Sequence, residues 1–261
     1  MKQLLPLIGG AVGGLIVLGL VMMWLLSGGI TTDGKLDLAM RLLDEGRWDV
    51  AGRIARDLAE AVDGETDAQW HYVQGVSKLQ AIGDDLDRPQ HRVELSKATD
   101  HLTKADELGF PIGYRGKGKF YLGWCYFHTY RFEEVSNIFK EPHELWPLRR
   151  SDAYRMDVEA NLRKMPPDYT QAEKQIAAWE ATPGMSDSEK ARIELARAQF
   201  EFAHERYPDL EKHLLKVPDY VPEHIEASLW RGRWRIEQSV TLSEDSPERV
   251  QLLAEARKII H

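Results

Sequence analysis

From Asp33 onward, apolar residues recur at three- and four-residue spacing, and this spacing restricts the fold more than any other feature of the chain. Clusters of Gly, Pro and Asp interrupt it at intervals, as expected where one helix ends and the next begins. No segment combines β-branched residues with strict alternation of apolar and polar positions, the pattern of a half-buried strand. The sequence therefore predicts an all-α fold built from paired helices.

The clearest helix pair in the sequence lies between Phe120 and Pro147. Its distinctive positions are, in order, Leu122, Gly123, Tyr126, Val135, Phe139 and Pro147. A glycine inside the first helix lets the second helix approach closely, and aromatic side chains fill the seam between the two. We expect Pro147 to end the second helix, because proline cannot continue one.

This segment resembles the tetratricopeptide repeat (TPR) consensus, in which a Leu-Gly pair, an aromatic residue, a small residue and a closing proline recur at this spacing. Lys119 and Pro142 depart from the consensus, which predicts a shortened or kinked second helix. Weaker copies lie on either side. They begin near Leu36, Trp70, Ala160, Ala198 and His224. The resemblance implies a TPR-like α-solenoid of about six helix pairs over residues 35–261, with an irregular all-helical domain as the alternative.

Two connecting segments stand out within the repeats. Residues 81–92 are too long for a TPR turn and predict an inserted, polar surface loop. The glycine-rich stretch from Gly113 to Gly118 lacks the spacing of a phosphate-binding loop and is interpreted as a turn between repeats.

In TPR proteins the first helices of successive repeats line a concave groove that binds extended peptides or partner helices. Carrying the groove positions across by spacing gives ten candidate partner-binding residues. They are Tyr72, Val76, Phe120, Trp124, Phe127, His128, Asn161, Lys164, Gln199 and Phe202. An aromatic and apolar floor of this kind suits a peptide with hydrophobic anchors. The alternative is that each of these side chains packs against the neighbouring repeat.

Residues 4–26 are free of charge and long enough to cross about 30 Å of hydrocarbon as a helix. They predict one transmembrane helix after a short tail, residues 1–3, and before a linker, residues 27–34. A cleaved signal peptide is the alternative, but the apolar run is long for one and its exit offers a poor cleavage site. Gly9 and Gly13 have the small-xxx-small spacing of closely packed membrane helices, although glycine is frequent in such helices in general.

Lysine and arginine are nearly balanced on the two sides of this span, so the charge rule leaves its orientation open. A very short basic tail ahead of the span is typical of a bacterial signal anchor. We therefore expect a single-pass protein of the bacterial inner membrane with an exported repeat domain. The linker spans at most about 26 to 29 Å, which keeps that domain close to the bilayer.

No motif predicts catalysis, a cofactor or a metal site. Cys125 and His128 share one helical face, but two ligands without a second cysteine make a weak metal site, and Cys125 is interpreted as a small buried hydrophobic residue. The formal net charge of −8 disfavours nucleic acid as a partner.

These features predict a non-catalytic, membrane-anchored scaffold or adaptor that binds protein partners. The alternatives are a structural accessory subunit of a membrane complex and a helical-repeat enzyme of the cell envelope. The C-terminal segment is rich in apolar residues, among them Leu252, Leu253 and Ile259. Either further repeats follow it, or this edge docks on a partner or on a second copy.

Overall fold

Thr31 caps the first helix among the described residues of the computed structural model, since its side chain accepts a hydrogen bond from the backbone N–H of Gly34 at 3.2 Å. The structure describes residues 31–62, 67–83, 89–140 and 145–260. Twelve α-helices and two short 3₁₀ turns make up the regular structure of these ranges, and no strand occurs in them. The prediction of an all-α chain is confirmed for this part of the molecule.

The chain divides between Tyr114 and Arg115 into two compact units, called unit 1 and unit 2 here. The described residues of unit 1 form four helices. They are α1 (Thr32–Asp44), α2 (Trp48–Asp57), α3 (Ala68–Ile82) and α4 (Arg92–Glu107). Each helix packs on the next, and α1 also packs on α3. The four helices thus form two stacked pairs.

Eight helices lie in the described residues of unit 2. They are α5 (Arg115–His128), α6 (Phe132–Phe139), α7 (Arg150–Arg163), α8 (Tyr169–Glu180), α9 (Asp187–Ala203), α10 (Tyr207–Leu215), α11 (Glu223–Val240) and α12 (Pro247–Ile260). Successive helices pack as pairs, and α5, α7, α9 and α11 also contact one another in that order. The first helices of the four pairs therefore form one layer of the unit.

Glycines sit where the helices of a pair cross most closely. A Cβ atom added to Gly123 on α5 would overlap the ring of Phe139 on α6, and one added to Gly75 on α3 would lie 2.6 Å from Cγ of Leu102 on α4. Phe139 and Leu102 are both fully buried. The expected role of Gly123, bringing two helices into contact, is confirmed.

Several predicted boundaries differ from the structure. Helix α1 begins at Thr32, inside the predicted linker 27–34, because Thr31 provides an N-cap. Helix α5 begins at Arg115, so Gly116 and Gly118 are helical where a turn was expected. Packing of α5 in the unit outweighs the low helix propensity of glycine.

The connections around two other helices also differ. Both ends of the predicted loop 81–92 are helical. Helix α3 continues to Ile82, and a 3₁₀ turn at 89–91 leads into α4. Helix α6 is short, as predicted, but it ends at Phe139 and not at Pro147. Pro147 instead opens the 3₁₀ turn before α7, a position where a missing N–H costs nothing.

The predicted membrane span, residues 4–26, and the Gly9/Gly13 pair lie outside the described residues. Within the described ranges, no helix has both the length and the apolar character needed to cross a bilayer.

Candidate partner-binding groove

Two helices of unit 2 stack on their predecessors through the same three positions. Helix α9 shares a core with α7 and α8 through Ile193, Ala196 and Phe200. Helix α11 packs on α9 and α10 through three residues, each of which lies 34 positions after one of these three residues of α9. These residues are Ala227, Trp230 and Trp234. The two helices therefore occupy equivalent places in a stacked array.

Stacking of α7, α9 and α11 leaves a groove along their shared layer, with a cavity volume of about 580 Å³. Its lining residues come from all three helices and from the residue before α11. They are Asp152, Arg155, Arg192, Leu195, Ala196, Gln199, Pro222, Glu223, Ile225, Glu226 and Leu229. Leu195 and Ala196 are buried and form an apolar floor, whereas Ile225 and Leu229 are exposed on the α11 wall.

Arg192 connects the three helices that form the groove. Its Nε donates to Oε1 of Glu223 on α11 at 2.9 Å, and its Nη1 donates to Oδ1 of Asp152 on α7 at 3.3 Å. The Ser188 hydroxyl donates to the same Glu223 oxygen at 2.6 Å. Burial alone would raise the pKa of Glu223, but these hydrogen bonds outweigh it and hold that pKa below its usual value. Glu223 is therefore ionised at neutral pH and fixed in place.

Arg155 supplies a second positive charge beside the apolar floor. Its Nη1 lies 3.8 Å from Oε2 of Glu159, and the other oxygen of that carboxylate pairs with Arg163 at 2.5 Å. The rim of the groove thus carries charges of both signs, held by ion pairs, around an apolar strip.

Of the ten candidate residues, Gln199 lines this groove directly. Phe202 lies one turn further along α9, where its ring packs against Trp230 with centroids 5.5 Å apart. The guanidinium of Arg233 lies 5.5 Å from the centroid of Phe202 and 5.3 Å from that of Trp230. Phe202 and Trp230 are both partly buried, so this cluster borders the groove without forming its floor.

Three further candidates lie together on α5. The ring of His128 is 6.0 Å from Trp124 and 5.4 Å from Phe127, and all three side chains are partly exposed. They do not line the groove between α7, α9 and α11. Cys125 on the same helix is buried, in agreement with its interpretation as a packing residue.

Four candidates are buried, and their assignment to an accessible groove is corrected on that ground. They are Tyr72, Val76, Phe120 and Asn161. Tyr72 packs against Phe110 and Tyr114 within unit 1, at centroid distances of 6.2 and 5.4 Å. These four side chains are packed inside their units, which agrees with the alternative that candidate residues pack against neighbouring helices.

Asn161 belongs to a buried polar cluster between α6 and α7. Its side-chain N–H donates to Oδ1 of Asp157 at 2.9 Å, and its Oδ1 accepts from the Ser136 hydroxyl at 3.1 Å. Burial raises the pKa of Asp157 to about 7, and hydrogen bonds and the charge of Lys164 offset this only in part. Lys164, the remaining candidate, pairs with Glu133 at 3.1 Å.

Unit 1 buries a different titratable group. Nδ1 of His71 on α3 lies 3.1 Å from Nδ1 of His101 on α4, so one ring donates to the other. The ring of Trp70 packs edge-on against both, at 5.0 and 5.4 Å. Burial, together with the neighbouring His71 and Lys78, lowers the pKa of His101 to about 4. Within the described ranges no group of three or more His, Cys, Asp or Glu side chains is arranged to hold a metal ion.

The charged residues of the groove were missed by sequence reasoning, Arg155, Arg192 and Glu223 among them. The 34-residue offset between α9 and α11 was the available signal, but the paired residues differ in size. Ala196 corresponds to Trp230, and Ile193 corresponds to Ala227. Comparison of the chain with protein-family models, with curated proteins and with solved structures found no match.

Proposed function

We propose that this protein is a non-catalytic, membrane-anchored adaptor whose TPR-like array binds protein partners through the groove of unit 2. The observation that carries the proposal is the open groove itself, with an apolar floor at Leu195 and Ala196 between charges held by ion pairs. The 34-residue offset between α9 and α11 and the close helix crossing at Gly123 support the TPR-like part of the proposal.

The groove suits an extended peptide with apolar side chains. The exposed Ile225 and Leu229 on the α11 wall offer apolar surface for anchors, which contribute most of the affinity in such interfaces. The amide of Gln199 both donates and accepts hydrogen bonds, so it is able to pair with a peptide backbone. The exposed Arg155 provides a positive charge at one side of the groove, and pairing with an acidic group of the peptide would set the direction of the peptide.

Site-specific crosslinking in intact membranes tests the groove. A photoreactive residue at position 199 is expected to crosslink a partner, and a synthetic peptide copied from the crosslinked partner segment is expected to prevent it. The matched control carries the same residue at Lys174, an exposed position on α8 outside the groove. Equal crosslinking at both positions, or no competition by the peptide, contradicts the groove as the binding site.

We extend the proposal to the N-terminal segment, with residues 4–26 as a single anchor in a bacterial inner membrane and the helical units exported. The full chain is then expected to resist carbonate extraction from membranes. Protease added to spheroplasts is expected to degrade the helical units without prior lysis. Protection of the units until lysis contradicts the exported orientation.

A further inference from the structure

Helix α11 leaves an apolar face uncovered. Ile225 is 70% exposed, Leu229 is 51% exposed and Ile236 is 43% exposed. These three residues, called the α11 face, lie on one side of the helix because they recur at intervals of four and seven. On α12, the helix that pairs with α11, Val250 and Leu253 are also exposed.

The molecule itself shows what covers an equivalent face. The residues 34 positions before the α11 face are Ala191, Leu195 and Phe202 on α9. Ala191 is 1% exposed and Leu195 is 4% exposed, since both belong to the core that α11 closes. Phe202 packs on Trp230 of α11. The same face is therefore covered on α9 and uncovered on α11.

The covering helix carries a defined pattern. Helix α11 contacts α9 through Ala227, Trp230 and Trp234, at positions i, i+3 and i+7. Helix α9 stacks on its own predecessors through Ile193, Ala196 and Phe200, at the same intervals. In both cases the residue at i is aliphatic and the one at i+7 is aromatic.

Charge distinguishes the two faces. Beside the α9 face, Arg192 is paired with Glu223, which lies four residues before Ala227 on the covering helix. The residue 34 positions after Arg192 is Glu226, an exposed side chain on α11. A helix covering the α11 face in the same way therefore needs a basic residue where α11 has Glu223.

We propose that the α11 face binds an amphipathic helix of a partner protein, with an aliphatic residue at i, an apolar residue at i+3, an aromatic residue at i+7 and a lysine or arginine at i−4. The inference goes beyond the proposed groove, because it assigns a second surface of unit 2 and a helical ligand. Ile225 and Leu229 border both surfaces, whereas Ile236 belongs to the α11 face alone.

The chain provides its own probe. A fluorescent peptide with the sequence of residues 222–240 carries the required pattern at Ala227, Trp230 and Trp234, and a second peptide carries Glu223→Lys in addition. Binding of both to the purified full chain is measured by fluorescence anisotropy. The Glu223→Lys peptide is expected to bind the wild-type chain about fivefold more tightly, the effect of one partly exposed ion pair.

A charge exchange on the protein identifies the surface. In the variant Glu226→Arg the preference is expected to reverse, so that the unmodified peptide binds more tightly. Ile236→Asp is expected to weaken both peptides at least about tenfold, because it places a charge in the apolar contact. Arg155→Ala, in the groove, is expected to leave both affinities unchanged, which separates this test from that of the groove.

Three results overturn the proposal. The first is an absence of saturable binding by either peptide. The second is a preference between the peptides that Glu226→Arg does not change. The third is a wild-type chain that sediments as a dimer and becomes a monomer with Ile236→Asp, since the face then binds a second copy.

Discussion

Units 1 and 2 bring their helices together in the same way, but they bury ionisable groups of opposite character. Each has a glycine at a helix crossing, Gly75 in unit 1 and Gly123 in unit 2. Between its helices unit 1 holds a base, His101, with a lowered pKa, and unit 2 holds an acid, Asp157, with a raised pKa. Burial disfavours the charged form in both cases. The base therefore becomes charged only at low pH, and the acid becomes charged only as the pH rises to about 7.

The two shifts have opposite consequences for stability. The folded-state pKa of His101 is depressed, so its contribution is present above the ordinary histidine pKa and is lost as pH falls toward about 4. The folded-state pKa of Asp157 is raised, so its contribution is present below the ordinary aspartate pKa and is lost as pH rises through about 7. Unit 1 is therefore sensitive to acid and unit 2 to neutral and alkaline pH.

The largest effect is expected at the feature that the two units share. Gly123→Ala places a Cβ atom against the buried ring of Phe139 and is expected to destabilise the chain by about 3 kcal/mol. Gly75→Ala, which meets Leu102 at 2.6 Å, is expected to cost about 2 kcal/mol. Urea unfolding followed by circular dichroism measures both. Lys174→Ala on the exposed side of α8 is the control, and equal stability of all three variants would contradict the close crossings.

The second test removes the buried charge of unit 2. Asp157→Asn is expected to raise the free energy of unfolding above pH 8 by about 2 kcal/mol, since no ionised carboxylate then remains buried at this position. Between pH 5 and pH 8, the stability reported by the amides of α7 should depend less on pH in this variant than in the wild-type chain. Hydrogen exchange corrected for intrinsic amide rates follows this slope in each unit. An unchanged slope would show that Asp157 is not the group responsible.

The smallest effect is expected in unit 1, because His101 keeps part of its side chain exposed. Between pH 7 and pH 5, α3 and α4 of the wild-type chain are expected to lose stability as the His101 contribution is lost. His101→Gln is expected to make that loss smaller by about 1 kcal/mol. The same exchange experiment reads it from the amides of those two helices. Asp157→Asn serves as the matched control, since it should leave the acid response of unit 1 intact.

Much of the fold was predictable from local patterns. The apolar spacing predicted the helices of both units, and the Leu-Gly pair predicted that the two helices of its pair would touch at Gly123. These predictions succeeded because helix periodicity and close crossings depend on residues near one another in the chain. Helix ends were less predictable, and α5 continues through Gly116 and Gly118 because tertiary packing outweighs propensity.

The structure places the predicted site residues in different surroundings. Gln199 lines the groove, but Tyr72, Val76, Phe120 and Asn161 are buried. Which side of a helix is covered depends on the helices that pack against it, and spacing within one helix does not determine that packing. The ion pairs of Arg192 join residues more than 30 positions apart, so no local pattern indicates them.

By itself, the amino-acid sequence determined that this part of the chain would form paired helices and which small residues would lie at their crossings, because both follow from the order of apolar, polar and small residues. The tertiary structure alone decided which surfaces remain open. Leu195 and Leu229 are the same residue at equivalent positions, yet one is buried and the other exposed. Burial depends on whether another helix lies against the position, and that is a property of the assembled helices.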